Sequence, residues 1–218
     1  DYPKATDVER TVLVVVAAGS DPRDFGGVDL VGKLELFVNN GQIGESNSLS
    51  DDIFGILSFV ATGSNHQVVQ DSLNFLVQNQ NSDGGWGFQK GTSDIDTTAA
   101  AIQAMVSSKK EGFQVDENSL AKAKNYLVSA QNPDSGFPFN KTDQTVSNTS
   151  STAWAIQALV VLGESTAKAE NFLKSLQTSS GAFLTQKNGS ESSLATAYSA
   201  LALLRKPLPI EVAVAGSS

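Results

Sequence analysis

Along most of the chain apolar residues recur at i, i+3, i+4 and i+7, the period of an amphipathic helix, while the alternation of a half-buried strand is nearly absent before the tail. The pattern predicts an all-α protein of nine helices, near residues 7–18, 28–39, 50–62, 66–79, 96–108, 117–130, 150–162, 165–176 and 192–204. Gly, Pro, Asn and Asp collect between them, as turns require.

Two kinds of helix alternate. One kind carries an aromatic, Leu and a following Gln near its end: "FLVQNQ" from Phe75, "YLVSAQ" from Tyr126 and "FLKSLQ" from Phe172, with a shorter relative, "LFVNNGQ", from Leu36. The other is rich in small residues, as in "AAIQAM", "WAIQAL" and "AYSALAL", which align with the earlier "RTVLVV" and "GILSFV". Matching Val15, Phe59, Met105, Leu159 and Leu201 puts Gly19, Gly63 and Gly163 at one shared place four residues on, where a left-handed residue would end the helix. Repeated helical hairpins of about 40 to 50 residues build an open solenoid or close into a ring.

The turns discriminate. Each later aromatic helix leads into a Gln, a Gly-containing turn and a second aromatic: Gln80, Gly84 and Trp86; Gln131, Gly136 and Phe137; Gln177, Gly181 and Phe183. A Gln side chain can satisfy the orphan amides and carbonyls of helix ends, an aromatic covers it, and Gly allows close approach, so these sets read as structural clamps from one hairpin to the next. "FLVQNQNSDGGWGF" resembles the QW motif of the terpenoid cyclase and protein prenyltransferase superfamily. "FLKSLQTSSGAF" is similar with Phe183 for Trp, and "YLVSAQNPDSGF" is looser because Ser135 stands where Gly belongs. The resemblance covers residues 5–205 and implies an α/α toroid over them, with small-residue helices inside and aromatic-Gln helices outside. A ring of that family has twelve helices, so about nine would leave it incomplete. Residues 206–218, opening with Pro207 and Pro209, read as an extended tail or linker.

Charge and composition narrow the function. A formal net charge of -8 with no basic cluster excludes nucleic acid as a partner. With no Cys and His66 as the single His, thiolate metal sites and disulfides are impossible, and neither metal nor cofactor is expected. The zinc site that a resemblance to prenyltransferases would imply is therefore lacking. The longest apolar run, "TVLVVVAAG", falls far short of the roughly 20 residues of a membrane span. A start at Asp1 reads as a processed product, and the Cys-free, Asn-, Ser- and Thr-rich composition fits an exported bacterial protein, extracellular or at the cell surface.

Candidate chemistry centres on "DIDTTA", Asp94 to Ala99, which resembles the Asp-x-Asp-Asp-Thr-Ala signature of class II terpene cyclases. The resemblance implies Asp96 as a proton donor to an alkene or epoxide and Asp94 as its neighbour, with Thr97 in place of the third acid. The repeat offers a competing role. The same offsets put Thr6, Ser50, Ser150 and Ser192 at the station of Asp96; all five are helix N-cap residue types, and Thr6 with Glu9 spells a capping box. Capping is thus the expected role of Asp96. Inner-helix residues Phe59, Met105, Trp154 and Tyr198 either line a space for an apolar small molecule such as an isoprenoid or pack as solid core. The turns "NQNSDGG" and "NPDSG" carry oxygen ligands for Ca²⁺, but ordinary turn chemistry explains them. The expected function is a non-catalytic binding or scaffolding module, whose partner is an apolar ligand, another protein, or a second copy completing the ring. The alternative is a class II terpene cyclase-like enzyme acting through Asp96.

Overall fold

The computed structural model describes residues 4–88, 91–141 and 146–210; residues 211–218, most of the expected tail, lie outside them. Among the described residues there are nine α-helices and two short antiparallel ribbons. The chain divides into two compact units, one of residues 1–78, 107–115 and 208–218, the other of residues 79–106 and 116–207.

The first unit contains α1 (Ala5–Ala17), α2 (Leu30–Glu35), a ribbon of β1 (Val38–Asn39) and β2 (Gln42–Ile43), α3 (Leu49–Thr62) and α4 (His66–Gln78). Helix α3 packs on α1 and α4 through Val12, Val15, Ile53, Ile56, Phe59, Val69 and Leu73, all buried. The predicted helix 28–39 is only half there. Asn40 and Gly41 take φ of 51° and 78°, as a tight two-residue hairpin requires, and the chain leaves the helix to pair Val38 with Ile43. Beyond the ribbon, Phe113 stacks on His66 at 5.3 Å and the Gln114 amide donates to Gln70 Oε1 at 3.0 Å.

The second unit holds most of α5 (Ile95–Lys110), α6 (Glu117–Ser129), α7 (Thr149–Val161), α8 (Ala167–Ser175), a ribbon of β3 (Phe183–Leu184) and β4 (Glu191–Ser192), and α9 (Ser193–Leu203). Helix α7 is buried at every residue from Ser151 to Leu159. Its Ala, Ser and Thr side chains are short enough on all sides for α8 and α9 to pack close. The expected left-handed helix ends are present: Gly19, Gly63 and Gly163 have φ of 73°, 61° and 71°. Arg205 takes the same station after α9 with φ of 55°, unusual for a residue with a side chain.

One group in the first unit departs from the packing rule. Glu9 of α1 is fully buried, and neither carboxyl oxygen has a hydrogen-bond partner. Burial, with Asp51 and Asp52 nearby, pushes its pKa up to about 9, against a smaller pull from Arg10. Burial likewise raises Asp52 to about 6, opposed by the Ser72 hydroxyl and the Ile43 amide that donate to its Oδ1 at 2.8 and 3.2 Å, with Asp51 adding to the rise. The folded chain therefore holds protons at pH values where the unfolded chain has released them, so stability falls as pH rises. Glu9 contributes fully below its ordinary value of 4.5, and that contribution is lost as pH climbs through about 9. Urea unfolding followed between pH 6 and 9 should show stability declining by up to about 1.4 kcal/mol per pH unit, and Glu9→Gln should flatten most of that slope.

Candidate functional site

Three turns of the second unit are copies of one hydrogen-bonded device. In the first, the Trp86 amide donates to Thr98 Oγ1 at 2.9 Å and the Thr98 hydroxyl donates to the Trp86 carbonyl at 3.0 Å. In the second, Phe137 N–H meets Thr152 Oγ1 at 2.9 Å; in the third, Phe183 N–H meets Thr196 Oγ1 at 2.9 Å. Around the first turn, Asn81 Nδ2 donates to the Ser93 hydroxyl at 2.9 Å, and that hydroxyl donates to Asp83 Oδ1 at 2.7 Å. Asn132, Ser147 and Asp134 repeat this at the same 2.9 and 2.7 Å. The third turn rebuilds it from other residues, with Thr178 and Ser180 donating to Glu191 Oε1 at 2.7 and 2.9 Å. Asn81 and Asp83 of "NQNSDGG" and Asn132 and Asp134 of "NPDSG" are thus engaged within their own turns. Among the described residues no cluster of His, Asp or Glu could hold a metal ion.

The glutamines divide the clamping work unequally. Gln80 Nε2 donates to Gly84 O and to Ser119 O, both at 2.8 Å, and Gln80 Oε1 accepts from the Ser119 hydroxyl, tying its turn to the start of α6. Gln131 and Gln177 instead close their own turns, onto Ser135 O at 2.9 Å and Gly181 O at 3.2 Å. For these two, the expected tie to the next hairpin is corrected. An aromatic of the following outer helix also reaches the first two turns: Tyr126 donates its hydroxyl to Ser93 O at 3.0 Å in the first, and the Phe172 ring lies against Gly136 in the second, where a Cβ would not fit. Trp86, Phe137 and Phe183 are buried beneath.

The expected capping role of Asp96 is overturned. Helix α5 begins at Ile95, and its cap is Asp94, whose Oδ1 accepts from Thr97 N–H at 2.7 Å while Oδ2 accepts from Phe88 N–H at 2.9 Å and the Thr97 hydroxyl at 3.1 Å. The caps of α1, α3 and α7 are Lys4, Ser48 and Asn148, two residues before the expected Thr6, Ser50 and Ser150; Ser192 alone caps as read. Glu9 joins no capping box; Asp7 accepts from Lys4 N–H at 3.1 Å instead. At α5 and α7 two good cap residues are available, and the backbone bond to the preceding turn, Asp94 N–H on Trp86 O at 2.9 Å and Asn148 N–H on Phe137 O at 3.0 Å, selects the earlier one. Asp96 is left inside the first turn of α5. Its Oδ1 is shielded and has no hydrogen-bond partner, and burial raises its pKa to about 6, opposed by a hydrogen bond from Ser151 and reinforced by Asp94.

Of the residues expected to line a ligand space, Trp154 and Tyr198 come together, their rings 5.6 Å apart and tilted by 58°. They hold equivalent stations, each two residues after a turn-bonding threonine. Met105 and Phe59 are fully buried, Met105 in the second unit and Phe59 in the first. The buried acids Glu9 and Asp52 escaped the sequence reading, although an acid in an apolar helical stripe was a signal for both. Asp52 also occupies the station of Thr98, since Ile43 donates to it as Trp86 does to that threonine. At pH 7.5, Asp94→Ala should destabilise the protein by about 1–2 kcal/mol, the usual cost of a lost cap. Asp96→Asn should instead raise stability at that pH, because burial lifts the Asp96 pKa to about 6 and the wild type bears an ionised, poorly solvated carboxylate there, and urea denaturation of both variants measures the opposite signs.

Comparison with known proteins follows the same lines. The squalene–hopene cyclase C-terminal domain family matches residues 43–201. The probable squalene–hopene cyclase of Sinorhizobium fredii is 26% identical over 186 residues, which are 75% of this chain and 28% of that protein, so the chain spans well under a third of its length. A type II terpene cyclase from Scytonema superposes with a TM-score of 0.57 at 16% identity, covering 92% of this chain and 60% of its own. A polysaccharide lyase superposes with a TM-score of 0.66 at 11% identity, covering 90% and 71%. At such identities the superpositions show the fold alone, that of helical hairpins of the α/α-toroid kind. With most of its length matched, the chain belongs to the squalene–hopene cyclase C-terminal domain family.

Proposed function

We propose that this domain is a non-catalytic binding and scaffolding module of an exported bacterial protein. The observation that carries the reading is the engagement of Asp94. An alkene is a very weak base, so its protonation needs a neutral carboxylic acid that is nonetheless strong, with neighbours that stabilise the carboxylate left behind. In this chain Asp94 accepts three hydrogen bonds as a helix cap, and Thr97 stands at the third acid position. That leaves the Ser151 hydroxyl to stabilise an ionised Asp96, and burial makes Asp96 a weaker acid, not a stronger one. The superposition on a polysaccharide lyase supports the same caution, because one fold carries unrelated chemistries. For the described residues, no helix is long and apolar enough to cross a membrane.

A second reading is favoured by the shielded, unpartnered Asp96 Oδ1, which is free to hold a proton toward a substrate. Under it the domain is class II terpene cyclase-like and Asp96 is its acid. Incubation with squalene, and separately with a prenyl diphosphate in detergent micelles, followed by gas chromatography and mass spectrometry, decides between the two. The scaffold reading expects no product above the protein-free control. A cyclised product made by the wild type and lost in Asp96→Asn would establish the second reading and end the first.

A further inference from the structure

Both ribbons turn on the same dipeptide. Asn40–Gly41 joins β1 to β2 and Asn188–Gly189 lies between β3 and β4, and the chain holds no other Asn-Gly pair. Asn40, Gly41 and Asn188 take φ of 51°, 78° and 62°, the left-handed conformation that these two residue types reach most easily. Asn before Gly is also the setting in which a side-chain amide is lost most readily, because no side chain shields the following nitrogen from the Asn Cγ. Attack further requires that the Asn be exposed, that the Gly amide be free of an acceptor, and that the local backbone be able to rotate.

The two sites differ in the last two requirements. In the β3–β4 loop the Gly189 amide donates to Gln186 O at 2.9 Å and the Thr185 amide donates to Ser190 O at 2.8 Å, so the loop is closed on itself. Thr185 Oγ1 lies over Gly189 where a Cβ would not fit. Attack on Asn188 has to break these contacts first. In the β1–β2 turn Asn40 is exposed and no acceptor meets the Gly41 amide. Its strands are two residues long, so rotation there costs only the Asn39–Gln42 and Val38–Ile43 pairs.

We propose that Asn40 is a self-modifying site, converted with water as the only co-reactant to isoaspartate and aspartate, and that the isoaspartate loosens the packing of Ile43 in the first unit. The Gly41 nitrogen bonds to Asn40 Cγ, the Cγ–Nδ2 bond breaks, and Nδ2 leaves as ammonia with the Gly41 amide proton. Water then opens the five-membered imide at either carbonyl, with no change of oxidation state. Opening at the backbone carbonyl gives isoaspartate, whose main chain runs through Cβ and is one atom longer. Both products add a carboxylate to a turn that already has Asp71 beside it, with Oδ2 3.1 Å from where a Gly41 Cβ would stand. The extra atom takes Val38 out of register with Ile43, the residue whose amide donates to Asp52 Oδ1 at 3.2 Å and whose fully buried side chain packs on Gly55. A reaction at an exposed tip thereby reaches the buried acid, whichever function the domain serves.

The test is to age the purified protein in warm, mildly alkaline buffer, folded and in parallel in urea, and to follow each Asn by peptide mass spectrometry for replacement of NH by O. In the folded protein Asn40 should convert at least tenfold faster than Asn188, whereas in urea, where neither amide is held, the two rates should agree within about threefold. A protein isoaspartyl methyltransferase should transfer a methyl group from S-adenosylmethionine to residue 40 of the aged chain. The Ile43 amide of aged protein should exchange with deuterium at least tenfold faster than that of Asn40→Gly aged alongside, a variant that keeps the turn and is checked for native circular dichroism. Asn40→Asp, which carries the charge without the extra atom, should keep Ile43 protected. Equal rates at Asn40 and Asn188 in the folded protein would overturn the proposal. So would an Asn40 that stays intact in the folded chain while the chain in urea is converted. Full protection of Ile43 in protein shown to carry isoaspartate at 40 would overturn the link to the packing of the first unit.

Discussion

One threonine hydroxyl per repeat holds the second unit in register. Thr98, Thr152 and Thr196 each sit one turn into an inner helix and accept the amide of the aromatic that closes the preceding turn. That amide is buried with its aromatic, and an unpaired buried amide costs about 1–3 kcal/mol. A threonine at this station satisfies it while fixing how far the turn lies from the helix start. The aromatic is then held beneath the turn, the Gln can reach the carbonyl four residues ahead, and the residue whose amide pairs with the aromatic's carbonyl, Asp94 or Asn148, becomes the helix cap. In the first unit Asp52 does the same for Ile43, which shows that the station, not the residue type, is what the fold requires.

This constraint also governs the acidic motif. Because the Trp86 carbonyl pairs with the Asp94 amide, Asp94 is the last residue before the helix, and its carboxylate faces the free amides of the first turn. Asp96 is two residues further on, inside the helix, where those amides are out of its reach. A role for Asp94 as a charged partner of Asp96 therefore competes with its role as a cap, and three hydrogen bonds favour the cap. Acid chemistry at Asp96 depends on how many carboxylates remain free beside it, and Asp94 is engaged by three hydrogen bonds.

Much of the architecture was legible. The 3.6-residue period located all nine helices, and the two sequence types separated the Ala- and Ser-rich helices from those carrying aromatic and Gln residues. The Gly positions correctly marked left-handed helix ends at Gly19, Gly63 and Gly163. Where the reading failed, it failed by short distances. The helix expected over 28–39 ended early because Asn40 and Gly41 prefer a hairpin turn, a local signal that the helical period outweighed. The caps were displaced by two residues at α1, α3, α5 and α7; at α3, α5 and α7 the helix start offers two suitable residues, which local sequence does not rank.

Sequence by itself therefore determined the helical class, the repeat and the kinship, since these follow from periodicity and from residue types whose preferences act within a few positions. Tertiary structure alone decided that Asp94 caps α5 while Asp96 keeps a shielded oxygen, that Gln80 reaches the next hairpin while Gln131 and Gln177 do not, and that Glu9 lies buried with a second acid. It also decided that the following hairpin covers the first two turns, with Lys122 against Gly84 and Phe172 against Gly136. Each of these depends on which groups from distant parts of the chain arrive at hydrogen-bonding distance, and a difference of two residues in register changes that without altering the pattern of apolar and polar positions.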